Sequence, residues 1–146
     1  RFRESPRWER TLLVFVPDHL GAWPEDVDNL SFDRYRIPLL LVGGAVKGAR
    51  RVDTCGSQQD LAATLLAQLG LPHGQFTFSK DLMNPAAPHF AFFTFPDAFG
   101  LQWNGSQAVF DNQAGRLVSS QGAEADEVLR SGKAYLQKLY DDLARL

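Results

Sequence analysis

TLLVFVPDHLG, residues 11–21, is the stretch on which the fold turns. Its first six residues are nearly all apolar and rich in β-formers, the pattern of a short strand buried on both faces of an α/β sheet. Pro17 stops the run, and the polar residues Asp18 and His19 follow at once. In open α/β sheets, ligands bind in the crevice beyond the carboxyl ends of the strands. A carboxylate oxygen and an imidazole nitrogen are ordinary ligands for zinc or manganese, so Asp18 and His19 form the candidate metal-binding pair. An Asp-His dipeptide alone is a weak signal, more often a turn Asp beside a surface His.

Working outward, GAWPEDVDNLSFDRY (residues 21–35) carries acids, a proline and no period, and reads as a long surface loop. IPLLLVGG (37–44) reads as a second buried strand, with Pro38 near its start, where a missing backbone donor matters least. ARRVDTCG (49–56) has room for a short strand around Val52. SQQDLAATLLAQLG (57–70) reads as a helix. Ser57 and Asp60 have capping-box spacing, Leu61, Leu65, Leu66 and Leu69 form an apolar stripe, and Gly70 is placed for a left-handed cap. From His89 the texture changes. HFAFFTFP, FGLQW, QAVFD and GRLVSS are short β-rich runs, with hairpin signals at Asn104-Gly105 and Asp111-Asn112, and together predict an antiparallel meander. Residues 123–146 predict a closing amphipathic helix whose apolar face includes Val128, Leu136 and Tyr140, with Gly132 as its weak point. The fold class is therefore α/β, with a small antiparallel meander and a C-terminal helix. Residues 1–88 and 89–146 read as two parts of one domain.

With 45% apolar and 22% charged residues, the chain is globular rather than disordered. A net charge of -2 gives no sign of a nucleic-acid surface. The single cysteine, Cys55, excludes an internal disulfide and any CxxC metal site. The longest apolar run, residues 37–46, is too short for a membrane span, which needs about 20 residues. The chain opens as RFRESPRWER, like the tail of a helix whose beginning is missing. Two buried strands with one clear helix nearby are also short of cover. A piece of a longer protein is therefore expected, with a processed small protein as the alternative.

The order W-x-x-T-L-L-V-F-V-P-D-H-L-G, an acidic loop, R-Y-R-I-P-L-L-L-V-G-G, S-Q-Q-D-L-A-A-T-L-L-A-Q-L-G and then S-K-D-L resembles the C-terminal stretch of sulfatases of the alkaline phosphatase superfamily. It looks most like the lipoteichoic acid synthase and phosphoglycerol transferase group. There a strand ends in D-H-G, a proline-led strand follows, and a helix opening with Asp and carrying T-L-L leads to a G-K-D-L type turn. The resemblance covers about residues 5–83 well and residues 90–146 more loosely. It implies an alkaline phosphatase-like fold and a divalent metal, manganese or zinc with magnesium or calcium also open, bound by Asp18 and His19. It also implies an acidic ligand and a nucleophilic threonine upstream, outside this chain, so that the metal site here is incomplete. The parent would act on sulfate or phosphate esters outside the cytoplasm, tethered by membrane helices. One departure bears on the site: Leu20 stands between His19 and Gly21.

Other candidates read more simply. His73 and His89 are loop or strand-edge histidines, and Cys55 is a small core residue. Asp60 is a helix cap, and Asp81 fixes a turn through a side-chain-to-backbone bond. Glu25, Asp26, Asp28 and Asp33 lack the spacing of a calcium loop. The Phe cluster in residues 90–99 alternates at period two, which means packing. No Ser, Thr or Cys has a recognisable base, so the chain alone is expected to be inactive. The expected partners are the remaining N-terminal half of the same protein and its ester substrate, with no nucleic acid. A homo-oligomer of the isolated chain is expected to form through apolar surface near Leu12, Val14, Val16, Leu39 and Leu41. The alternative to an enzyme fragment is a non-catalytic binding module with a degenerate Asp-His pair.

Overall fold

The computed structural model describes residues 1–21 and 26–146. Two compact units divide it, one made of Arg1–Asp28 and Asp33–Asp53, the other of Asn29–Phe32 and Thr54–Leu146.

In the first unit, RFRESPRWER forms two single 3₁₀ turns, Phe2–Glu4 and Trp8–Arg10, rather than the end of a helix. Pro6 lies between them and has no backbone N–H to continue a helical ladder. Strands β1 (Leu13–Phe15) and β2 (Leu40–Val42) pair antiparallel, with Val14 opposite Leu41 and Phe15 opposite Leu40. Both are shorter than their apolar runs, and the expected α/β sheet buried on both faces is not what these two strands form. Phe15 is 55% and Leu40 54% exposed. A strand buried on both faces needs an element packed on each. Among its described residues this unit has only the two 3₁₀ turns and all but the first residue of the one-turn helix α1 (Phe32–Tyr35) besides the strands. Helix α1 itself falls inside the stretch expected to be loop.

The second unit is built on local signals that the sequence states clearly. Helix α2 (Asp60–Gln68) ends as its glycine requires. Gly70 takes φ +68°, its N–H donates to the Ala67 carbonyl, and the Leu71 N–H donates to the Leu66 carbonyl, which together make a Schellman cap. The helix does not bury its leucine stripe. Its buried residues are Asp60, Ala63 and Thr64, while Leu69 is 71% exposed.

Strands β3 (Phe90–Phe95), β4 (Ala98–Trp103), β5 (Ser106–Asp111) and β6 (Arg116–Gln121) form the expected antiparallel meander in sequence order. The β4–β5 turn is Asn104-Gly105, with φ of +49° and +74°, the left-handed pair that a two-residue hairpin needs. Phe92, Phe99, Leu101 and Ala108 share one sheet face by register and alternation. Helix α3 (Ala125–Leu143) closes that face with Val128, Gly132 and Leu136, spaced four apart. Gly132, expected to be a weak point, is where helix and sheet come closest. A β-carbon there would sit 2.4 Å from the Phe99 ring. Phe99 and Val128 are fully buried, each burial contributing about 1.5–3 kcal/mol. Tyr135 packs edge-on against Phe78 and Phe90 and tilted against Phe92, and its burial raises the phenol pKa above the ordinary value.

A buried polar knot ties α2 to the S-K-D-L turn. The Asp60 carboxylate accepts from the backbone N–H of Ser57 and of Lys80, and its Oδ2 lies 2.5 Å from Lys80 Nζ. Asp60 is fully buried and the Lys80 side chain is 11% exposed. Ser79 Oγ accepts from Ala63 N–H, and Thr64 Oγ1 accepts from Leu82 N–H. Asp81 Oδ1 accepts from Met83 N–H, the turn-fixing bond expected of it. Ser57 does only half of its capping work. Its backbone binds Asp60, but its hydroxyl bonds the backbone N–H and carbonyl of Phe92 on the edge of β3.

Candidate metal site at Asp18 and His19

Strand β1 ends at Phe15, and the chain bends at Asp18 and His19 three and four residues later. The bend is held on its far side, where the Leu20 N–H donates to the Arg34 carbonyl, 2.8 Å away, in helix α1. Asp18 Oδ1 accepts from the His19 backbone N–H at 2.8 Å. That bond, and then the neighbouring imidazole, lower the Asp18 pKa below its ordinary value. The Asp18 side chain is 86% exposed and that of His19 44%. The pair thus lies past the carboxyl end of β1 with His19 partly exposed, as expected, but the strand belongs to a two-stranded antiparallel sheet.

The geometry suits two ligands of one cation. His19 Nδ1 lies 2.8 Å from the Leu20 carbonyl oxygen. A carbonyl only accepts, so Nδ1 carries the proton, and in the neutral ring Nε2 keeps its lone pair. This is the outer hydrogen bond that fixes the tautomer of metal-binding histidines. Nε2 lies 3.7 Å from Asp18 Oδ2. Two donors at zinc-bond lengths around a tetrahedral ion stand about 3.4 Å apart, so the two residues fit a shared divalent metal. The interposed Leu20 is what supplies both the carbonyl for Nδ1 and the N–H to Arg34.

No group of three or more ligating side chains forms among the described residues. His73 and His89 belong to the second unit, where His89 precedes β3. Asp26, Asp28 and Asp33 are exposed on the first unit, and Glu25 lies outside the described residues. Cys55 is half-buried and in no disulfide. Sequence reasoning missed the Asp60–Lys80 ion pair. Its members are twenty residues apart, and nothing local to either marks the other.

No family model matches the chain, and no curated protein matches it. Among solved structures it is similar to a protein in the alkaline phosphatase superfamily from Vibrio parahaemolyticus, with a TM-score of 0.62 and 21% sequence identity. The match covers 94% of this chain and 38% of that protein, so these 146 residues span well under half of its length. The likeness is one of fold: this chain has the fold of a part of an alkaline phosphatase superfamily protein.

Proposed function

We propose that this chain is part of a metal-dependent, sulfatase-like hydrolase or phosphoglycerol transferase that acts on sulfate or phosphate esters. The observation that carries the reading is the Asp18–His19 pair, with Nε2 and a carboxylate oxygen 3.7 Å apart just past a strand end. The shared fold supports it, and so do the sequence motifs from Trp8 to Leu82. Asp18 and His19 would hold a divalent metal, manganese or zinc. Bound there, the metal supplies Lewis-acid stabilisation of the ester oxygen and activates a nucleophile. The chain's own contribution is to present Nε2 unprotonated through the Leu20 carbonyl, and to keep Asp18 ionised through the His19 N–H. The nucleophile and the other ligands would come from parts of the parent outside these residues. An extracytoplasmic, membrane-tethered parent belongs to the same reading. None of the described helices is long and apolar enough to cross a membrane.

The test uses the full-length protein. It should purify with close to one equivalent of manganese or zinc, or more, and turn over an aryl phosphate, an aryl sulfate or a phosphatidylglycerol analogue. His19→Ala and Asp18→Asn should each lower metal content and cut kcat/KM by at least about 100-fold. Full activity in both variants would remove the pair from the chemistry. Inactivity and metal-free purification of the unaltered protein would leave the binding-module reading in its place.

A further inference from the structure

The second unit carries a recess that the metal chemistry does not use. It has a volume of about 330 Å³, at the lower end of the range for small-molecule sites. One wall is made of two turns. Asp97 lies in the β3–β4 turn at φ +62°, a left-handed conformation uncommon for a residue with a side chain. Its carbonyl accepts from the Asn112 N–H, 2.6 Å away in the β5–β6 turn, which fixes both side chains on one rim. The other wall is one face of α3, where Lys133, Gln137 and Tyr140 follow at helical spacing. The floor is the buried Phe99 and Leu136.

We propose that this recess binds a sugar ring, as part of a glycan or a glycoside. Three features point to that ligand class. Asp97 and Lys133 face the same recess yet form no ion pair with each other among the described residues. A carboxylate acceptor and an ammonium donor are therefore both available, and each forms charge-assisted bonds to hydroxyls. Lys133 Nζ is steadied 3.8 Å from the centroid of the Phe110 ring. Gln137 donates to Asp141, which leaves its amide oxygen as an acceptor, and Asn112 adds an amide with both roles. Tyr140 is 58% exposed at the mouth, an aromatic face against which the C–H side of a pyranose packs. The rim has one charge of each sign, which suits a neutral, hydroxyl-rich ligand.

Ligand-observed NMR on the 146-residue chain tests this, with maltose, cellobiose and chitobiose as probes and glycine betaine as a charged control. At least one disaccharide should show saturation transfer that saturates in the millimolar range. Tyr140→Ala and Asp97→Ala should each weaken it about tenfold or abolish it. Tyr140→Phe, which keeps the ring, should retain it. His19→Ala, which alters the metal pair, should leave it unchanged, so failure of the ester-hydrolase reading is distinguishable from failure of this one. Asp97 sits in a strained turn, so amide spectra of its variant are compared with those of Tyr140→Ala to separate misfolding from lost binding. Three outcomes overturn the proposal: no transfer to any saccharide, transfer undiminished in Tyr140→Ala, or stronger transfer to the betaine.

Discussion

The two units treat the same kind of sequence differently. LVF at residues 13–15 and FAFFTF at residues 90–95 are both apolar strand sequences. In the second unit the strand has a register partner, a sheet of four and a helix across one face, and Phe92 is 7% exposed. In the first unit the strand has one partner of three residues, and Phe15 remains 55% exposed. Their charged pairs differ at one point. The second unit has exposed pairs along α3 but also the buried, multiply bonded Asp60–Lys80, whereas Arg51–Asp53 and Asp18–His19 in the first unit stand in solvent. Apolar composition marks which segments form strands, but burial depends on what packs against them.

The sharpest way to break that comparison is a pair of truncations. Phe99→Ala removes a fully buried ring and should destabilise the second unit by about 3–5 kcal/mol. Phe15→Ala should change stability by less than about 1 kcal/mol. Urea denaturation of each variant measures both, and equal losses would mean that the first unit is packed as tightly as the second. The charged pairs give the next contrast. Asp60→Ala strands the Lys80 ammonium in a site where its side chain is 11% exposed, and should cost about 3–5 kcal/mol. Asp53→Ala breaks a pair whose side chains are 87% and 72% exposed, and should cost under about 1 kcal/mol.

A smaller effect tests how closely α3 sits on its sheet. Gly132→Leu gains helix propensity but drives atoms into the Phe99 ring, so a net loss of about 1–3 kcal/mol is expected. A stabilised variant would show that the helix can lift away at no cost. The smallest effect is read by NMR rather than by unfolding. Asp18 should titrate below 3.8, held down first by the His19 N–H and then by its imidazole. Because the folded pKa is depressed, the linked stabilisation is present above 3.8 and lost as pH falls through the lowered value. At so exposed a carboxylate the linked stability change is too small for denaturation to resolve. Carbon-13 titration of the carboxyl in the chain and in His19→Ala should show the pKa move part of the way back up. No movement would mean that only the backbone bond matters.

What the sequence made legible follows the range of the interactions. Asn104-Gly105 and Gly70 announce their turn and cap because the requirement for φ > 0 lies within a residue or two. The alternation of the Phe cluster correctly marked packing for the same reason. Gly132 was legible only as a cost in helix propensity, because its neighbour Phe99 lies on another element and propensity says nothing of that approach. Asp60 looked like a cap and is one, through the Ser57 N–H. Its second partner, Lys80, becomes visible only once the chain has folded back. The Asp18–His19 pair was legible as adjacent ligands. The Leu20 carbonyl that orients the imidazole was not, since Leu20 reads in sequence as an interruption.

The hydroxyl of Ser57 has a consequence for how copies of this protein can meet. By bonding both backbone groups of Phe92 it occupies, on the outer side of β3, the place a neighbouring strand would take. The sheet is therefore stoppered at one margin, while β6, exposed along its whole length, is its open margin. A polymer needs two reactive ends, and this sheet has one. Two molecules joining through β6 would bury their open margins against each other and present only stoppered ones outward. Growth by strand addition through this sheet would stop at a pair instead of running on into a fibre.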